Sequence, residues 1–128
     1  MLSQSFVQRL SQDQLQARAG AGDPDAMHEL GTRQYGSGAA ALAAQWWARA
    51  AGHGHAVAMF CLGVLYARGE GVRPDTDAAR QWWSRAAAKG VPQAIHNMKV
   101  LEDAARGRTD RLKGVPDGVA ADEKAEGE

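Results

Sequence analysis

The chain has 128 residues, the length of a single domain with room for a modest core. Its 15 Lys plus Arg balance 15 Asp plus Glu. A net charge of zero provides no long-range field to gather phosphates or anionic lipid, which argues against nucleic-acid and membrane-surface binding.

The first sixteen residues, MLSQSFVQRLSQDQLQ, lack the basic start and apolar run of a signal peptide. No later stretch approaches the roughly 18 apolar residues of a membrane span. With one cysteine, Cys61, the chain cannot make an internal disulfide. The expectation is a cytoplasmic protein.

Ser11 and Gln14 have capping-box spacing and open a first helix over about Gln12 to Ala21. Asp23 is a natural N-cap for the second helix, with Pro24 at its first position and Asp25 in the first turn. Gly36-Ser37-Gly38 breaks it, and an alanine-rich helix containing Trp46 and Trp47 follows, ending at Gly54. The next helix spans Ala56 to Arg68, with Met59, Leu62 and Tyr66 on one face. Gly69, Gly71 and Pro74 stop it, and Asp75 caps a helix that carries Trp82 and Trp83 to about Lys89, with Gly90 after it. A last helix is expected over Gln93 to Arg106. From Gly107 onward glycine, proline and charge predict a flexible tail over 107–128.

Two of these helix pairs are copies. Gln45-Trp46-Trp47-Ala48-Arg49-Ala50-Ala51 recurs as Gln81-Trp82-Trp83-Ser84-Arg85-Ala86-Ala87, 36 residues on. Ala26, Met27, Leu30 and Gly31 recur as Ala58, Met59, Leu62 and Gly63, 32 residues on. The difference of four lies in the loop, which is shorter in the first copy. The first helix aligns with the second helix of a pair, Leu15 taking the place of Trp47, and the last helix aligns with the first of a pair. The divisions are therefore a capping region (1–22), repeat one (23–54), repeat two (55–90), a half-repeat helix (91–106) and the tail. Terminal units of such arrays are atypical because one side faces solvent.

With these motifs in view the chain resembles the Sel-one-like repeat family of the tetratricopeptide-like superfamily. Ala56, Ala58, Leu62, Gly63, Tyr66, Gly69, Gly71, Val72, Asp75, Ala79, Trp82, Trp83, Ala86, Ala87 and Gly90 follow the family pattern. Ala26, Leu30, Gly31, Ala43, Trp46, Trp47, Ala50, Ala51 and Gly54 follow it in the first repeat. The first repeat departs at its loop, and Tyr35 lies one residue later than Tyr66. The resemblance covers about Gln12 to Arg106. It implies an all-α fold, a right-handed superhelical stack of antiparallel helix hairpins, with about two full repeats and flanking half-repeats. It also implies a concave binding face and a non-catalytic role in binding a protein or peptide partner.

The first helix of each pair lines that face by the same analogy, which gives the groove candidates Asp25, His28, Thr32, Tyr35, Val57, Phe60, Val64, Arg68, Gln93, His96 and Val100. His28, Phe60 and His96 occupy one register position in three successive helices, and such a row would respond to pH. The Trp pairs read as core, with one of each pair partly exposed. His53 and His55 flank a glycine at a helix end and read as solvated. Cys61 reads as a small buried hydrophobe. No catalytic set, phosphate loop or metal-ligand spacing is present, so no cofactor and no metal are expected.

A narrower form of the binding role is a stoichiometric inhibitor, immunity protein or chaperone for a bacterial toxin or secreted effector. The rival of another class is a subunit contributing to an enzyme's site. Self-association through exposed end surfaces is a third reading.

Overall fold

A computed structural model describes the backbone over residues 4–112 and the side chains over 6–106. Among the described residues there are seven helices and no strand: α1 (Gln4–Gln8), α2 (Gln12–Gly20), α3 (Pro24–Gly36), α4 (Ala40–Gly52), α5 (Ala56–Arg68), α6 (Thr76–Ala88) and α7 (Pro92–Leu112). The chain divides into two compact units, Met1–Ile95 and His96–Glu128.

In the first unit α1 packs on α3, and the helices after it pack mainly on their sequence neighbours, α2 on α3, α3 on α4, α4 on α5 and α5 on α6. These are the stacked hairpins that the repeat register predicts. Their boundaries follow the punctuation of the sequence. Ser11 and Gln14 exchange both capping-box hydrogen bonds, the Asp23 carboxylate accepts from Asp25 N, and the Asp75 carboxylate accepts from Ala78 N. Gly69 ends α5 with φ +71°, a left-handed conformation that glycine adopts without a Cβ clash. Gly71 follows in the loop, where its Cα faces the backbone of Ala40 and Ala41 at the start of α4 too closely for any side chain.

The core is built from small residues on which large ones close. Ala26, Ala43, Ala50, Ala58, Ala86 and Ala94 have no exposed surface, and Leu15, Met27, Leu30 and Leu65 fill the space beside them. Trp47 and Trp83 occupy equivalent places in the two repeats. Each indole brings its Cδ1–Nε1 edge against a glycine of the preceding helix, Gly31 or Gly63, and donates its Nε1–H to a carbonyl of that helix, His28 O at 3.1 Å or Phe60 O at 3.2 Å. The other tryptophan of each pair is half-buried. Arg49 lies over the Trp46 ring at 4.6 Å and Arg85 over Trp82 at 5.0 Å.

Two features differ from the sequence expectation. The capping region carries an extra helix, α1, too short to show a period. Its Val7 is fully buried, and Arg33 of α3 holds the turn after it by donating to Gln8 O at 3.1 Å and Leu10 O at 2.7 Å. Glu29 orients that arginine by accepting from its Nε at 3.0 Å. At the other end α7 runs on to Leu112, past the expected start of the tail at Gly107. A single glycine inside a helix costs only about 1 kcal/mol and does not end it without a proline or a cap. Residues 113–128 lie outside the described residues.

Candidate functional site

Four of the predicted groove residues come together. Tyr35 from α3 and Phe60, Val64 and Arg68 from α5 line one cleft of about 190 Å³, with Trp47 of α4 and Cys61 and Leu65 of α5 completing it. Helix spacing places Phe60, Val64 and Arg68 on one stripe of α5, at intervals of four. Phe60 and Val64 are half-buried, and Tyr35 and Arg68 are exposed. At the rim, the Tyr35 hydroxyl donates to Glu70 Oε1 at 3.0 Å, and Arg68 Nη1 lies 3.8 Å from the same oxygen. The Tyr35 ring leans on Trp47 with 5.6 Å between centroids.

The lining is therefore apolar and aromatic, with one cation and one carboxylate at its edge. It is smaller than the roughly 300 Å³ at which small-molecule sites begin. Cys61 forms part of the wall, and burial pushes its thiol up to about 11, so it is a poor nucleophile. Among the described residues no group of three or more His, Cys, Asp or Glu side chains could hold a metal ion.

The remaining candidates lie elsewhere. Thr32 is exposed, and its hydroxyl donates to His28 O at 3.1 Å. Val57 and Gln93 are exposed and outside this cleft. His96 and Val100 are exposed on α7 in the second unit. His28 differs most from its expected setting. It is buried, and neither ring nitrogen has a hydrogen-bond partner. The cause is His55, which is not solvated as its position beside Gly54 suggests. Its side chain is 8 % exposed and stacks on His28 with centroids 4.5 Å apart and planes 17° from parallel.

His55 is also the N-cap of α5, its Nδ1 accepting from Ala58 N at 3.1 Å, while its Nε2 lies 3.2 Å from Asp25 Oδ1. Burial, with the His55 ring as a second contributor, lowers the His28 pKa to about 4. Burial lowers His55 as well, against the opposing pull of Asp25. The His28, Phe60 and His96 row therefore does not share one environment.

Sequence reasoning on single helix faces missed Trp47, Cys61 and Leu65 as cleft residues. The signal that would have found Trp47 is its repeat pairing with Gly31, because an indole laid on one helix also walls the space beside it.

The chain matches the Sel1 repeat model twice, over residues 24–55 and 56–91, which together make up more than half its length. No curated protein matches it. Among solved structures it is similar to c5321, a protective antigen of uropathogenic Escherichia coli strains displaying an SLR fold. The identity there is 36 %, the TM-score 0.68 and the coverage 73 % of this chain and 21 % of that one. It is also similar to a Sel1 repeat protein from Oxalobacter formigenes, at 30 % identity and TM-score 0.64, over 70 % of this chain and 38 % of that one. The chain thus spans about a fifth and well under half of the lengths of these two proteins. Sel1-repeat proteins are generally protein-interaction modules and typically non-catalytic scaffolds. With both repeats matched and their glycine–tryptophan packing in place, the chain belongs to the Sel1 repeat family.

Proposed function

We propose that the chain is a non-catalytic module that binds a partner protein or peptide in the cleft walled by Tyr35, Trp47, Phe60 and Val64. The observation that carries this reading is the cleft itself: aromatic and aliphatic side chains left part-exposed between packed helices, with polar groups only at the rim. A space of about 190 Å³ suits one bulky side chain of a partner rather than a substrate. Arg68 and Glu70 at its edge supply orientation and selectivity rather than bulk affinity. Asp25, Thr32, Val57 and Gln93 lie outside the cleft and would add to binding only through a more extended contact. The proposal places the protein in the cytoplasm, where a lone thiol such as Cys61 stays reduced. No helix among the described residues is long and apolar enough to cross a membrane.

The test is an affinity capture read by mass spectrometry, with the wild-type chain and a Phe60→Ser, Val64→Ser variant checked for helix content by circular dichroism. A dominant protein retained by the wild type and lost by the folded variant supports the cleft. Equal capture by both removes it.

A further inference from the structure

We propose that the stacked rings of His28 and His55 form an acid-sensitive latch at the α3–α4–α5 junction, which holds the wall of the cleft while both are neutral and opens when either gains a proton. The release this implies rests on the cleft being the binding site; the latch itself does not.

The geometry admits only the neutral pair. His55 Nδ1 receives the amide proton of Ala58, so that nitrogen offers a lone pair, and the ring's own proton sits on Nε2 facing Asp25 Oδ1. A second proton would have to enter at Nδ1, against the Ala58 N–H, and would uncap α5. His28 offers no better place. Both its nitrogens are shielded from water and lack an acceptor, so an imidazolium there would be a buried charge with no hydrogen bond. If both rings were charged they would repel across 4.5 Å.

The groups facing the pair from each packed element are few. From the start of α3 come Asp25 and, more remotely, Asp23, both acting on His55. From α4 comes the uncharged Trp47, its ring centroid 6.2 Å from that of His28. From α5 comes the Ala58 amide, which carries no charge. Asp25 favours a proton on His55, yet the loss of solvation outweighs it, as the lowered His55 pKa shows.

The latch reaches the cleft through Trp47. This indole donates to the carbonyl of His28, packs near its ring and forms the cleft wall beside Tyr35. Movement of His28 toward water therefore loosens the wall. The matching N-cap positions in the array are Asp23 and Val91, so the stack belongs to this one junction.

The experiment is amide hydrogen exchange on the full chain, corrected for intrinsic rates, at pH 7 and pH 5, with histidine ring titrations followed by NMR. A His28 pKa of about 4 in the closed form against 6.5 when open predicts that protection of Ala58 and its α5 neighbours falls roughly 20-fold over that interval. His28→Phe keeps a flat ring in the stack without a titrating group, and His55→Asn keeps an N-cap without one. Each single variant should lose part of the pH effect, His28→Phe the roughly 20-fold share worked above, and the double variant should lose nearly all of it. Unchanged wild-type protection at pH 5, or an equal fall in the double variant, would overturn the latch and assign any acid sensitivity to carboxylates. None of these readouts involves a partner, so failure of the latch and failure of the binding proposal are separately visible.

Discussion

Replacing Gly31 by alanine adds a single methyl group, and its expected effect is set by what that methyl meets. An ideal Cβ there would lie 2.5 Å from both Cδ1 and Nε1 of Trp47, about 1 Å inside an ordinary carbon contact. Trp47 cannot swing clear without cost, because it is 5 % exposed and its Nε1–H is committed to His28 O. Overpacking of this kind costs about 1–3 kcal/mol. A buried N–H left without its acceptor adds a further ~1–3 kcal/mol if the indole turns away. Against this, alanine gains about 1 kcal/mol over glycine in a helix interior. The balance is a net loss of up to about 2 kcal/mol if the indole keeps its hydrogen bond and about 1–5 kcal/mol if it turns away, read as a fall in urea-unfolding free energy by tryptophan fluorescence. Gly63→Ala should behave alike, since its Cβ would meet Trp83 Nε1 at 2.5 Å and Ala79 O at 3.2 Å. Gly52→Ala is the control: it lies at the end of α4 with nothing within 4 Å, and should be neutral or stabilising by up to about 1 kcal/mol. If Gly31→Ala and Gly63→Ala match or exceed the wild type in stability, the glycine–tryptophan contact is not what sets helix spacing in the repeats.

Other outcomes follow from the same structure. The His28 pKa is lowered from 6.5 to about 4 in the folded state, so the unfolded chain binds the proton more readily. The corresponding stability, about 3 kcal/mol, is present above pH 6.5 and lost as pH falls toward 4, and His28→Phe should flatten that part of the urea-midpoint profile. Asp75→Ala removes the side-chain cap of α6 and should cost about 1 kcal/mol, whereas Asp75→Asn should cost little. Cys61, with its thiol pushed up to about 11, should react with a disulfide reagent at pH 7.5 far more slowly than the same chain in urea; equal rates would show that it is not sheltered in the cleft wall.

The helices were legible because glycine, proline and aspartate mark nearly every boundary, and the 32- and 36-residue shifts show which helices correspond. The loop difference is likewise plain in the structure, as three residues connect α3 to α4 and seven connect α5 to α6. Which tryptophan of each pair goes inside was not legible from helix period alone. Position in the repeat decides it, since only Trp47 and Trp83 reach a glycine on the preceding helix. The short α1 has no period of its own and owes its place to Val7 and to the reach of Arg33, a tertiary effect.

For the site, helix spacing and local packing bring Phe60, Val64, Arg68 and Tyr35, which repeat register groups on one face, to one cleft. Register does not set the environment of His28, whose surroundings depend on the residue at the next helix's N-cap. That residue is His55 here, where another unit of the array has valine, and a ring stacked on a ring turns a groove position into a buried one.

The most direct test of the binding account is site-specific photo-crosslinking in the native host, with the reactive residue placed at Val64 in one version of the chain and at Arg49, outside the cleft, in another. The account predicts a discrete crosslinked protein from the Val64 version that is absent from the Arg49 version. Crosslinks to the same protein from Arg49, with none from Val64, would contradict it and move the binding surface off the cleft.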